Sequence, residues 1–476
     1  MAGGRPHVSR QASSLLNRVS RTLDILVEIS EPFDGLFPSI INRRSHAMLT
    51  ELPAAIGGQR DGDRAHLGSN LIHDEALLQT MYALDAPGYV AAADRYLDRF
   101  ATHCTDTVSG LFPWGEHAYW HLVDDRPGNS YGLAGRSSLP ALTHDHLRAT
   151  PLWLWEKLHG IHPGCVERFA EGLDNHWVDI EPIEYIRHAN IDGVERNPAG
   201  GRSCDFPRHS GFYIWDLSFA YVKTGRCDFL QQIRDFLDYW WSRRLPDGLC
   251  FTESRVPEGE MFWDHRGVTQ TLSLATSLLE SADLIDDAQP GLAAEMRSRA
   301  AVYTDGFFAA PHDLAKARFV LGYRPDSDNI SMMTVWGSVY GKTPASYTAG
   351  LCLCHYRISQ DTRLLEFAEA AGRCYLNEPF ARDINVPGMD AGMGMGLLAD
   401  LYDITGEDRW LEGGLRRAEE IVSLYFGDCA LPSGASGIAW YESQMGPSFL
   451  LHGLARLALQ ALHGVDCPLG ANYTGR

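Results

Sequence analysis

The chain has 476 residues, 45% of them hydrophobic, and a formal net charge of −20. Length and composition provide for a large core, while the acidic balance excludes nucleic acid as a partner, because phosphates are met by basic stripes. No run of about 18 apolar residues occurs, so no membrane-spanning helix is expected.

The opening Met1-Ala2-Gly3-Gly4-Arg5-Pro6-His7 has no apolar stretch behind its arginine. No signal peptide is therefore expected, and the cytoplasm is the expected compartment. The 10 cysteines are scattered without a CxxC, which reads as free thiols in a reducing setting.

Residues 10–30 read as an amphipathic helix, with Leu15, Leu16, Val19, Leu23, Leu26 and Val27 at helical spacing. An irregular stretch from Phe33 to Gly68 follows and contains a polar loop over Gly57–Asp63. Helical character resumes from Asn70 to Leu84, and a second helix runs from Tyr89 to His103 after the Pro87-Gly88 break. Further along, a two-helix hairpin recurs. Its turn appears at Tyr221–Leu230, at Tyr402–Leu411 and, without glycine, at Tyr356–Leu365. Each turn ends one helix on polar residues and supplies an aspartate or threonine to cap the next. First helices such as Thr348–Tyr356 and Met393–Tyr402 are small or apolar, whereas second helices such as Leu364–Tyr375 and Arg409–Tyr425 are amphipathic. That asymmetry predicts an inner ring of buried helices inside an outer ring facing solvent. The reading is an all-α (α/α) toroid of six or seven hairpins, forming one catalytic domain over residues 1–476. An open helical solenoid is the alternative, disfavoured by the long loops that interrupt the repeat.

Chemistry concentrates between Gly110 and Asn190. Eight of the 19 histidines and five of the 12 tryptophans lie between Trp114 and His188. So many imidazoles suit a cleft that holds a metal or moves protons. Trp114-Gly115-Glu116-His117 puts His117 on a loop or a helix start, and His121 follows four residues on, where one helix face can present both to a metal. His144-Asp145-His146 offers two imidazoles and a carboxylate before a helix beginning near Thr150-Pro151. Arg187-His188 follows the Glu181-Pro182 turn, and an arginine there suits an anionic sugar or a phosphate. Asp74 and Glu75 read as carboxylates at a helix N-terminus, which leaves His73 unexplained. Arg208, His209, Asp216, Asp264, His265, Arg266 and Glu442 are further cleft candidates. P-loop, GxGxxG, HExxH and GxSxG patterns are all missing, so nucleotide, zinc-protease and hydrolase-fold readings lack support.

Trp114-Gly115-x-His117, then an acidic residue ahead of Thr150-Pro151-Leu152-Trp153-Leu154-Trp155, then Arg187-His188, resembles the pectate lyases of polysaccharide lyase family 2. The resemblance covers mainly residues 110–190, and Tyr441-x-x-Gln444-Met445-Gly446-Pro447-x-Phe449 is similar to the family's end. It implies an (α/α) barrel and a divalent metal, with manganese, calcium and zinc not distinguished. The implied ligands are His117, His188 and Asp145, the last standing where the family has glutamate. It further implies Arg187 as the base, with Tyr185 or a histidine such as His146 as fallback. The implied reaction is β-elimination in an acidic polysaccharide or oligosaccharide, giving a 4,5-unsaturated uronate. There a divalent cation absorbs charge developing on the substrate carboxylate. Trp114, Glu116, Arg208, His209, Asp264 and Arg266 are the expected substrate contacts. Two other enzymes remain open: a glycoside hydrolase pairing Glu116 with Asp145, Asp74, Asp264 or Glu442, and a sugar epimerase. A non-catalytic carbohydrate-binding scaffold is the remaining reading.

Overall fold

Apolar residues at helical spacing form fourteen α-helices among the described residues. The computed structural model describes residues 5–130, 142–146, 148–178, 184–194, 196, 205–253, 265–325 and 328–475. The helices are α1 (Arg5–Ser30), α2 (Leu71–Leu84), α3 (Pro87–Arg99), α4 (Leu152–Ile161), α5 (Pro163–Gly172), α6 (Pro207–Thr224) and α7 (Cys227–Arg243). They continue as α8 (Val268–Ile285), α9 (Pro290–Ala309), α10 (Ala345–Ser359), α11 (Thr362–Asn377), α12 (Gly388–Thr405), α13 (Asp408–Tyr425) and α14 (Pro447–His463).

Two rings follow from what each helix can bury. Helix α14 is buried at every position from Pro447 to Gln460, so it must be covered on all sides. Helix α13 instead buries one stripe, including Trp410, Leu411, Leu415, Ala418, Ile421 and Tyr425, and turns its charges outward. In order, α6, α8, α10, α12, α14 and α2 pack each against the next as the inner ring. Outside them, α7, α9, α11 and α13 pack on their hairpin partners, α1 packs on α14, and α3 packs on α2. The α4–α5 hairpin fills the space between α3 and α6, where Trp215 donates its indole N–H to the Thr150 carbonyl at 2.7 Å. The helical toroid expected from the repeat is the observed fold.

One crossing is unusually close. A Cβ on Gly392 of α12 would lie 2.2 Å from the Phe449 carbonyl carbon of α14, so only glycine lets these two backbones meet. The sheets are small, of two or three strands each. No described helix is long and apolar enough to cross a membrane.

Hydrogen bonds tie together the loops that precede the inner helices. Asn70, ahead of α2, bonds Gly115; Gln444, ahead of α14, bonds the Asp63 carbonyl; and Arg208, opening α6, bonds Tyr347 of α10. These loops therefore gather at one end of the ring, and the candidate chemistry gathers with them.

Local assignments differ from expectation in two places. Ala118–His121 is a β-strand paired with Arg126–Asn129, not a helix, so His117 and His121 do not share a helix face. His121 instead lies beside Asp124. Helix α3 ends at Arg99 and gives way to a π-turn over Phe100–Cys104.

Candidate active site

The side-chain amide of Asn70 donates to the carbonyls of Gly115 and Ala118 at 2.8 and 3.3 Å, gripping both sides of Glu116-His117. Within that turn, His117 Nδ1 lies 2.8 Å from the Gly62 carbonyl. A carbonyl only accepts, so Nδ1 carries the proton and Nε2 carries the lone pair. Nε2 stands 3.3 Å from Glu116 Oε2 and 3.8 Å from Asp145 Oδ2. His188 Nε2 reaches the same Asp145 oxygen at 3.7 Å, and the two imidazole centroids are 5.1 Å apart. Arg187 bridges the carboxylates, with Nη1 3.6 Å from Glu116 Oε2 and Nε 3.6 Å from Asp145 Oδ2. Arg60 holds Glu116 at 2.6 Å and Asp63 at 2.8 Å.

Asp145 is 1% exposed, and neither of its oxygens accepts a hydrogen bond. Burial pushes its carboxyl up to about 7, with Glu116 adding to the shift and Arg187 opposing it. Burial pushes Asp63 likewise up to about 7. Burial would raise Glu116 too, but Arg187, His117 and Arg60 together hold it below the usual carboxylate range. Burial takes the His117 imidazole down to about 4 and carries His188 well below its ordinary value. At neutral pH the cluster therefore presents two neutral imidazoles and an ionised glutamate around a buried carboxyl that accepts no hydrogen bond.

That donor set fits a divalent ion. Nitrogen atoms of His117 and His188 and an oxygen of Asp145 all lie within 4.8 Å of one another, and Asp63, Glu116 and His117 form a second such group. Separations of 3.7–3.8 Å are too long for hydrogen bonds. Ligands bound at about 2.1 Å to one ion stand about 3.0–3.7 Å apart, so a small inward movement would seat it.

Other expected site residues lie elsewhere, each for a physical reason. Trp114 is fully buried among Phe100, Phe112, Trp155 and Phe169, so it packs the core and cannot stack on a sugar. Tyr185 is buried too, its hydroxyl accepting from Trp240 at 2.7 Å, which commits it to packing rather than to acting as a base. His146 gives its Nε2 to Asp216, which also accepts from Trp155 at 2.9 Å; it is a buried pair, not a proton carrier at the surface of the cleft. His209 is buried against Asp205, and Arg208 approaches its Nε2 at 3.4 Å, so no substrate contact is open to it. Arg266 is ion-paired to Asp247, with Tyr323 under its guanidinium, which makes it a structural residue of a small sheet. Arg208 lies near the site: it donates to Tyr347 at 3.0 Å, and its charge acts on the Asp145 carboxyl. Asp264 lies outside the described residues.

Of two carboxylates proposed for hydrolysis, Glu442 is saturated by Arg64, Gln59 and Trp440. Asp74 accepts from Tyr96 at 2.9 Å through one oxygen, while the other is buried without a partner and burial raises the carboxyl to about 8. Glu75 accepts from Trp153 at 3.0 Å and Asn472 at 2.8 Å, so it serves as a buried acceptor rather than a helix cap. Conversely, Arg60 and Asp63 belong to the cluster although their stretch reads as an ordinary polar loop. The visible signal was the charge alternation Arg60-Asp61-Gly62-Asp63-Arg64.

No family model matches the chain, and no curated protein matches it by sequence. Solved structures do match in fold. A D-mannose isomerase is 11% identical, with a TM-score of 0.50 over 79% of this chain and 98% of that one. The chain folds as that isomerase does. A cellobiose 2-epimerase from Spirochaeta thermophila (12% identical, TM-score 0.47) aligns over 96% of this chain and 99% of its own. A family 76 glycoside hydrolase from a bovine Bacteroides thetaiotaomicron strain (13% identical, TM-score 0.42) aligns over 94% and 77%. The match in fold is to a sugar isomerase and no family model supports a lyase, which overturns the resemblance to polysaccharide lyase family 2 and with it the lyase reaction.

Proposed function

We propose that the chain is a sugar isomerase or epimerase that moves a proton at a carbon next to a carbonyl, with a divalent cation held by His117, Asp145 and His188. The observation that carries this reading is the approach of two neutral imidazole nitrogens to one buried, hydrogen-bond-free carboxylate oxygen. A bound cation would supply a Lewis acid for the substrate's oxygens. Glu116 is the proton carrier once substrate draws Arg187 off it, since Arg187 and Arg60 otherwise hold its carboxylate weakly basic; its Oε2 is buried and faces the cluster. Arg187 and Arg208 bind substrate oxygens, and their charge in so acidic a chain suits a sugar bearing a carboxylate or phosphate. The shared fold with a D-mannose isomerase supports isomerase chemistry over hydrolysis.

The test is turnover in D2O over a panel of aldoses, ketoses and their acidic derivatives, with metal content measured by mass spectrometry. Deuterium should enter the carbon beside the carbonyl, chelation should abolish it, and Glu116→Gln should remove it. Release of new reducing ends from oligosaccharides without carbon exchange would overturn the proposal in favour of a hydrolase.

A further inference from the structure

Behind the cluster runs a chain of buried groups with a single direction of donation. Trp114 Nε1 lies 3.1 Å from His144 Nε2, His144 Nδ1 lies 2.9 Å from His176 Nε2, and His176 Nδ1 lies 2.8 Å from the Ile186 carbonyl. An indole N–H only donates, and a carbonyl only accepts. His144 must therefore accept at Nε2 and donate from Nδ1, and His176 must do the same. Both rings are buried, among Phe169 and Tyr213.

The far end of this chain is the segment that carries the site. The Ile186 amide donates back to the His176 carbonyl at 2.9 Å, so His176 holds Ile186 through backbone and side chain together. On the other side of Arg187-His188, Ala189 pairs with His144 in a short antiparallel ladder. His144 is thus linked to both ends of the Ile186–Ala189 segment and is followed directly by Asp145.

We infer that His144 and His176 are positioning residues, a two-imidazole strut that sets Arg187 and His188 against Asp145. The inference concerns geometry; only its consequence for ion binding rests on the function proposed above. A strut of neutral rings suits this place because it fixes distance without adding charge beside the carboxylates.

Hydrogen exchange on the full chain tests it. His176→Phe removes the side-chain hydrogen bonds to His144, Ile186 and Tyr213, and should speed exchange at the Ile186, Ala189 and Ile191 amides by about tenfold or more. It should also weaken binding of Mn2+ alone by about tenfold. His176→Gln can still accept from His144 and donate to Ile186, so it should restore most of the protection. Unchanged exchange at these amides in His176→Phe would overturn the strut. If that variant does not fold, nitrogen-15 imidazole spectra of the native chain decide: protonated Nδ1 on both histidines supports the strut, and protonated Nε2 on His176 refutes it. Native protein that shows the exchange pattern but no sugar turnover would refute the proposed function and leave the strut standing.

Discussion

Gly115 and Asp145 are in direct backbone contact: a Cβ on Gly115 would lie 1.8 Å from the Asp145 carbonyl oxygen, and Gly115 has a φ of +100°. The contact joins the turn carrying Glu116-His117 to the strand end carrying Asp145. A side chain at this point cannot be relieved by a rotamer change, because the clash is with backbone and the conformation itself favours glycine. Gly115→Ala should therefore separate His117 from Asp145, lowering divalent-ion affinity and turnover by about a hundredfold while the helical rings persist. Calorimetric titration with Mn2+ beside far-ultraviolet circular dichroism checks this. Native affinity in the variant would show that the contact is not needed to align the cluster.

Asp145→Asn should separate stability from function. In the metal-free chain the carboxyl is raised to about 7 by burial, against about 3.9 when unfolded. A raised carboxyl favours the folded state only while protonated, so its penalty grows as pH rises from about 4 to 7 and is constant above that. Removing the charge should stabilise the metal-free protein by about 2–4 kcal/mol at pH 8, and by much less at pH 5. Added divalent ion should raise the melting temperature of the native chain and not of the variant. Equal gains at both pH values would mean that burial does not raise the Asp145 carboxyl.

The rings were legible because helical period and turn chemistry are local properties. Leu15, Val19, Leu23 and Leu26 announce a buried stripe within one helix, and Gly225 and Gly406 end helices whatever surrounds them. The site was only half legible. An excess of imidazole and carboxylate marks the stretch from Trp114 to His188, but only the resemblance singled out His117, Asp145 and His188 within it, and their approach depends on contacts between distant loops. Trp114 shows the limit: an aromatic beside ionisable residues looks like a sugar platform, and only packing reveals it as core. His117 and His121 show another, since a spacing of four fits a helix face and, along a strand, merely returns to the same side. Arg60 and Asp63 were hidden because a polar loop is usually solvated. The lyase resemblance failed for a related reason: three short motifs constrain a few loops and say little about how the remaining hairpins assemble.

Gln360 occupies the position that glycine fills in the other two hairpin turns. Its φ is 58°, beside 70° at Gly225 and 68° at Gly406, and its amide N–H closes the helix on the Tyr356 carbonyl at 2.8 Å. A left-handed conformation costs a residue with a Cβ about 1 kcal/mol, which glycine avoids. Gln360→Gly should stabilise the chain by about 0.5–1 kcal/mol, reduced by loss of the exposed side-chain contacts to Tyr356 and Arg357. Denaturant unfolding measures the change. A loss of stability would mean that those side-chain contacts outweigh the backbone strain.

His452 provides a pH test away from the cluster. It is 3% exposed on the inner helix α14, its Nε2 has no partner, and burial takes its imidazole down to about 4. The unfolded chain binds this proton near pH 6.5, so folded stability is fully present above that value and is lost as pH falls towards 4, by about 1.4 kcal/mol for each pH unit. His452→Met keeps an apolar shape of similar length and removes the titration, at the expense of the bond to the Gly470 backbone. The variant should be the less stable protein at pH 7.5 and should gain on the native chain steadily as pH is lowered from 6.5 to 4.5. Melting curves of both proteins across that range decide it, and a difference that does not change with pH would mean that His452 is not held neutral by burial.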